Sequence, residues 1–446
     1  MAWVRTMAVV GAAALVAGSA GAAAPAKPAA KPQVAAVRQV VTGPVATYWM
    51  SAQTTSGFGA GMMGGGGPGG PGGGGRGGRP SMGAMMGMMM GGGGGGAQHG
   101  LILQLGSSRK APGEPQAEHL PPQNLGAGSS LPLLTPRAQP SQRTEETPSM
   151  PREYQKPKGK MLIFWGCGDH ARPNQPVVID FAQMADGKMP AGLEALSRGL
   201  GVTPMQPPSP TRNATYGEWP NEKTRTTVPG QGSLIGAHTV RGGYTPDINF
   251  TLSQNQDFLA PLQLTTNAVG PMGSGQLGWN PVAGAGGYLA TAIGGGGDKE
   301  TVVLWTSSEI QASAFALPDY LSNSDLARLV ANKALMTPQT TSCAVPREMV
   351  QAAPQALVQL AAYGQETNLS YPARPADPRV PWNIEWTVKV RYKSQTGGLL
   401  GMAMPGGMAG DDDQGPRGQR GQQQPKPRGR PGLGDVLRGL GGIPQL

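Results

Sequence analysis

From Ile384 to Lys393 apolar and polar residues alternate without a break, with Ile384, Trp386, Val388, Val390 and Tyr392 set against Glu385, Thr387, Lys389, Arg391 and Lys393. A period of two is that of a β-strand with one buried and one wet face. Trp386 and Val390 are therefore expected in a core, and Lys389, Arg391 and Lys393 are expected to project together into solvent. A second signal lies in residues 275–315. Leu277, Trp279 and Pro281 share one parity, Tyr288, Ala290 and Ala292 share another, and Val302 to Trp305 is apolar throughout. Gly294 to Gly297 and Asp298-Lys299-Glu300 separate the two apolar runs, which predicts a β-hairpin whose second strand is covered on both faces.

Further strand signals are ATYWMSAQTTSG, GLILQLGSS, KMLIFWGCG and PVVIDFAQM, then TVPGQGSLIGAHTV, PDINFTLSQNQDF, TTSCAVP and ALVQLAAYG. One helix is expected, at 324–335, with Ser324 as its cap, Asp325 in its first turn, Leu326, Leu329 and Val330 on one face, and Pro338 beyond its end. The pattern predicts an all-β chain with a minor helix, arranged as two β-sandwich-like domains, 38–258 and 260–398. Within the first domain, 57–97 and 109–158 are expected to be unstructured insertions. The former is read as a long loop between two neighbouring strands.

Composition sharpens this division. The chain has 446 residues, of which 72 are Gly and 44 Pro, a share at which unpatterned sequence cannot bury enough apolar area to offset its backbone entropy. Residues 1–22 have the layout of a secretory signal peptide: Arg5, an apolar stretch from Met7 to Ala17, and small residues at Ala20-Gly21-Ala22. A linker is expected at 23–37 and a disordered basic tail at 399–446. No other stretch is long and apolar enough for a transmembrane helix, so the expected location is the periplasm, the cell surface or the exterior.

Leu277, Trp279, Pro281, Val282, Gly284, Ala285 and Tyr288 resemble the second and third strands of fibronectin type III and related immunoglobulin-like modules. The resemblance covers one hairpin, 277–305, and the helix at 324–335 departs from the family pattern. It implies a two-sheet sandwich with the Trp and Tyr in its core, serving to bind or to space, and it implies no chemistry.

Candidate chemistry is sparse. Gly273 to Gly278 fits G-x-G-x-x-G but precedes a strand, where a dinucleotide site needs a helix N-terminus. Cys167, Asp169 and His170 read as a turn at a strand end. Cys167 and Cys343 allow one disulfide in an oxidising compartment, or two separate buried thiols. Met85, Met86, Met88, Met89 and Met90, with Met402 and Met404, offer soft thioether sulfur suited to Cu(I), or serve as filler in low-complexity chain.

A net charge of +10 favours an anionic partner, and export points to an anionic cell-envelope polymer or another envelope protein rather than a specific nucleic acid. The surface expected to make that contact is Lys389, Arg391 and Lys393. As exposed charges, all three should be replaceable by Gln without loss of the fold. The function expected is that of a non-enzymatic exported binding or structural protein of the cell envelope, with no cofactor. The alternatives are a copper-binding envelope protein and a carbohydrate-processing hydrolase.

Overall fold

In the computed structural model the described residues are 43–57, 96–136, 158–189, 193–194, 200–298, 300–311, 317–377 and 379–402. The strands among them are β1 (Ala46–Thr55), β2 (Gln98–Ser107), β3 (Ala117–Leu120), β4 (Leu131–Leu133), β5 (Lys160–Trp165), β6 (Val177–Asp180), β7 (Thr215–Trp219), β8 (Gly236–Gly242) and β9 (Thr245–Leu252). They continue as β10 (Leu264–Val269), β11 (Gly275–Trp279), β12 (Ala285–Gly295), β13 (Thr301–Thr306), β14 (Ser342–Val345), β15 (Leu357–Gly364), β16 (Thr367–Tyr371) and β17 (Trp386–Leu399). The helices are α1 (Phe181–Ala185), α2 (Asn323–Ala331) and α3 (Arg347–Ala352). The fold is all-β with minor helix.

One large sheet has the strand order β6-β5-β13-β12-β15-β17-β1-β2-β7, with β16 also paired to β17. Two smaller sheets complete the fold: the β8 sheet, ordered β4-β3-β8-β9, and the β11 sheet, ordered β10-β11-β14. Alternation decides which face of the large sheet they cover. Val390, Met50, Leu103 and Trp219 stand opposite one another across β17, β1, β2 and β7, and Phe164, Trp305, Ala292 and Val358 do the same across β5, β13, β12 and β15. All eight belong to one core cluster together with Leu131, Leu133, Val240 and Ile248 of the β8 sheet and Leu277, Trp279 and Val345 of the β11 sheet. The large sheet is thus one layer of a sandwich and the two small sheets share the other.

Close contact between the layers has a local requirement at Gly217 on β7. A Cβ there would lie 2.6 Å from the Tyr244 hydroxyl oxygen and 2.8 Å from the Leu133 carbonyl oxygen. Leu134 bridges Glu218 just beyond, so the β8 sheet meets the edge of the large sheet where only glycine leaves room.

The far face of the large sheet is covered in patches. α2 lays Leu326 and Leu329 against Leu289 and Tyr363, and Ile163, Trp165, Val177 and Ile179 form a separate apolar cluster under Phe181 of α1. The Ser322 hydroxyl caps α2 by accepting from the Asp325 N–H, and Asp325 places its charge in the first turn. Asp180 caps α1 by accepting from the N–H groups of Ala182 and Gln183.

Several expectations are corrected. The boundary near 259 does not divide the sheets, because β1 pairs in parallel with β17 and β5 in parallel with β13. The described residues belong to one compact unit. Alternation predicts strands but carries no information about partners several hundred residues away. Residues 109–136, expected to be unstructured, include β3 and β4, whose inward residues Ala117, His119, Leu131 and Leu133 are buried; Pro132 is tolerated because β4 is an edge strand with that residue facing outward.

The cap of α2 is Ser322 rather than Ser324, and Lys333, at φ 62°, lies past its end. The run 176–184 divides into β6 and α1, and α3 was not foreseen. The hairpin at 275–315 is present as antiparallel β12 and β13, while β11 belongs to a different sheet. β1 and β2 pair along their whole length, Thr55 opposite Gln98. The expected signal peptide 1–22, the linker 23–37, residues 58–95 and 137–157, and the tail beyond Met402 lie outside the described residues.

Candidate binding face

The part of the far face not covered by α1 or α2 is built by residues of one parity on β16, β17, β1, β2 and β7. Their register sets Asn368, Lys389, Trp49, Gln104 and Glu218 in one row and Arg391, Ser51 and Ile102 in the next. On the other parity of the same strands lie the core residues Val388, Val390, Tyr48, Met50, Leu103 and Leu105. Strand alternation therefore creates this face from the same strands that fill the core.

Lys389, Arg391 and Lys393 do point to one side, as the alternation requires, but they do not form a free basic row. Lys389 Nζ lies 2.7 Å from Glu366 Oε2, with the two side chains 20% and 8% exposed, and Asn368 donates to the other Glu366 oxygen at 3.1 Å. Lys393 is only 7% exposed and lies 2.8 Å from the Asp319 carboxylate. That contact holds Asp319 below the usual carboxylate range, Lys393 being the main cause. The correction has a geometric origin. Tyr320 and Asp319 reach the face from the segment preceding α2, and Glu366 from the turn between β15 and β16, so none of the covering groups is a sequence neighbour of β17.

Arg391 is held differently. Its guanidinium carbon lies 4.8 Å from the Trp49 ring centre and 4.5 Å from that of Tyr320, so the group is enclosed between two aromatic faces. Nε and one terminal nitrogen both donate to Ser51 Oγ, at 3.1 and 2.5 Å. Among the described residues no carboxylate is ion-paired to it. Burial lowers its pKa, opposed by Tyr320, Glu366 and Asp319, and burial raises that of Tyr320. Lys389 Nζ also lies over the Trp49 ring, at 5.5 Å.

Farther along the same face Gln104 donates to the Tyr216 hydroxyl at 3.1 Å, and Tyr216 donates to Glu218 at 2.6 Å. Ile102, 44% exposed, stands opposite Ser51 in the neighbouring row. Trp49, 7% exposed, is the residue of this candidate face that sequence reasoning missed. A large aromatic residue on the parity of β1 opposite to Tyr48 and Met50 was the available signal.

The remaining candidates lie elsewhere. Cys167 and Cys343 form a disulfide with Cα atoms 5.3 Å apart, so neither acts as a nucleophile or metal ligand in this state. Asp169 accepts from Ser274 at 2.5 Å and from Gln276 at 3.1 Å. His170 lies 3.2 Å from Glu348. Burial opposes ionisation of Glu348, yet hydrogen bonds from the N–H groups of Ala171 and of its own residue, from His170 and from Arg347 bring its pKa down to about 2. These contacts pin the turn after β5 to α3 and β11.

Met402 is 50% exposed, its carbonyl 3.2 Å from the Asn267 side-chain nitrogen; Met85, Met86, Met88, Met89, Met90 and Met404 lie outside the described residues. A cavity of about 210 Å³ is lined by Asn255, Asp257, Leu259, Gly284, Gln365 and Tyr392 among others. The carboxylate in that lining, Asp257, accepts from Ser233 Oγ and from the N–H groups of Leu234 and Phe258. Among the described residues no helix is long and apolar enough to cross a membrane. No family model, no curated protein and no solved structure matches this chain.

Proposed function

We propose that the chain is a non-enzymatic exported protein of the cell envelope that binds an anionic envelope polymer on the far face of β16, β17, β1 and β2, with Arg391 as the anchoring cation. The observation that supports this reading is the setting of Arg391. Lys389 and Lys393 are matched by Glu366 and Asp319, whereas the guanidinium of Arg391 is fixed by two rings and one hydroxyl. With Nε and one terminal nitrogen engaged by Ser51, the remaining N–H groups of the ring-held guanidinium are those a phosphate or carboxylate would meet, and a group already fixed in place loses little entropy on binding. Gln104, Asn368 and the exposed Ile102 add neutral contacts around it.

Salt-sensitive retention on isolated anionic envelope polymer tests the reading. Arg391→Gln should reduce that retention at low salt, where screening of the attraction is weakest, with the circular dichroism spectrum unchanged. Equal retention of the folded variant and the parent across a salt series would refute it.

A further inference from the structure

A buried polar chain connects the large sheet to the β8 sheet. The Tyr48 hydroxyl on β1 lies 2.5 Å from His119 Nδ1 on β3, His119 Nε2 lies 2.9 Å from His238 Nδ1 on β8, and His238 Nε2 lies 2.7 Å from the Leu234 carbonyl oxygen. Tyr48 and His119 are 0% exposed and His238 is 1% exposed. The direction of the chain follows from its far end. A carbonyl only accepts, so His238 Nε2 carries hydrogen; Nδ1 of the neutral ring then accepts, and His119 Nε2 must donate to it. His119 Nδ1 is left to accept from Tyr48. Both rings are therefore neutral Nε2–H tautomers, and each ring nitrogen has one partner.

The groups facing this pair carry no charge. Tyr48 approaches from β1, and Phe250 on β9 stacks on His238 with ring centres 4.8 Å apart. The Leu234 carbonyl closes the end. Asp257, bonded to the Leu234 N–H, is occupied by Ser233 and Phe258 as well. Glu118 and Arg241 pair with each other at 2.8 Å on the exposed face of β3 and β8. Added to His238 Nδ1, a proton would set N–H against N–H. Passed on to His119, it would turn Nδ1 into a donor and leave the Tyr48 hydroxyl hydrogen without an acceptor, with a charge in a site of low polarity.

We propose that Tyr48, His119 and His238 form an acid-sensitive latch, which holds the β8 sheet on the large sheet while both imidazoles are neutral and releases it when opening lets them take up protons. Burial lowers the pKa of both rings, and for His119 the neighbouring His238 adds to the effect. In the open form each protonates below about pH 6.5. The opening constant then rises up to about tenfold per pH unit for each ring, or about 100-fold for the two together.

Amide exchange of β3 and β8 in the full chain, corrected for intrinsic rates, measures this opening between pH 7 and pH 5. The expected steepness approaches 100-fold per unit, while amides of β12 and β15 do not follow it. His119→Gln keeps an acceptor toward Tyr48 and a donor toward His238 but cannot titrate, so its steepness should fall to about tenfold. His99 on β2, also lowered by burial, is separated by His99→Gln, which should leave the steepness in place.

If His119→Gln does not fold, imidazole nitrogen shifts of the parent chain decide, and both rings must remain neutral Nε2–H in the closed form at pH 5.5. The latch is overturned by pH-independent opening of β3 and β8, by steepness that survives His119→Gln or vanishes in His99→Gln, or by either ring titrating near pH 6.5 while those amides stay protected.

Discussion

The two small sheets cover the same face of the large sheet but are attached by different physics. The β11 sheet is tied covalently, since Cys343 on β14 is bonded to Cys167 just after β5, across a sequence separation of 176. The neighbouring Gly168 N–H donates to the Ala344 carbonyl at 2.9 Å. The β8 sheet has no such tie among the described residues; besides the Leu134–Glu218 backbone bridge and the Ser107–Tyr244 hydrogen bond at its margin, its polar contacts with the large sheet include the buried neutral chain from Tyr48 through His119 to His238. A disulfide acts mainly on the unfolded chain by closing a loop and is indifferent to mild acid. A buried neutral imidazole acts through the folded state and fails when protonated. One face is thus held by a contact that answers to reductant and by another that answers to acid.

The largest effect expected from breaking this pairing comes from Cys167→Ser with Cys343→Ser. Loop closure over such a separation stabilises by roughly 5 kcal/mol, and urea unfolding of the double variant should show a loss of that order. Its pH dependence above pH 5 should match that of the parent. Next is His119→Ala, which deletes a buried ring and strands both the Tyr48 hydroxyl and His238 Nδ1. A loss of roughly 3 kcal/mol is expected, again from urea midpoints, with no change in the effect of reductant.

Acid gives the third test. The folded pKa values of His119 and His238 are depressed, so their contribution is fully present above the unfolded value near 6.5 and is lost as pH falls from there toward the folded values. The slope is at most about 1.4 kcal/mol per pH unit per ring, and thermal scans between pH 7 and pH 5 measure it. Glu348, with its pKa near 2, has the same sign in a lower window: its contribution is present above the unfolded carboxylate value and is lost as pH falls through about 2. Stability that is flat from pH 7 to pH 5 would contradict the assignment of neutral, buried rings.

The smallest effects belong to the far face, and they divide its lysines. Lys389→Gln leaves the 8%-exposed Glu366 side chain without its cation, for which a loss of roughly 1–2 kcal/mol is expected. Lys393→Gln frees Asp319, 78% exposed, and should change stability by less than about 0.5 kcal/mol through the ion pair itself. Paired urea titrations check the ranking. The premise that these basic residues are exposed charges does not hold for Lys389 or Lys393, whose side chains are 20% and 9% exposed.

Reading the chain from local pattern succeeded where the cause of structure is local. The alternation in β17 placed Trp386, Val388 and Val390 in the core, and the two apolar runs around the glycine loop are β12 and β13. The same reasoning failed at β3. Ala117 and His119 are buried, but a strand of four residues between Pro-rich segments is too short for alternation to register. It pointed to Arg391 but missed the groups around it, because Trp49, Tyr320 and Glu366 come from three other stretches of chain.

What the sequence determined by itself is the β character of the chain, the inward and outward parity of its long strands, and a helix expected at 324–335 and found at Asn323–Ala331, since each follows from spacing within a few residues. Only the tertiary structure decided that β1 lies parallel to β17 and β5 to β13, which merges the two expected domains into one sandwich. It alone decided that Lys389 and Lys393 are paired rather than free, and that two histidines 119 residues apart share a hydrogen bond. Backbone pairing and charge partnering depend on which groups meet in space, and a one-dimensional period carries no term for that.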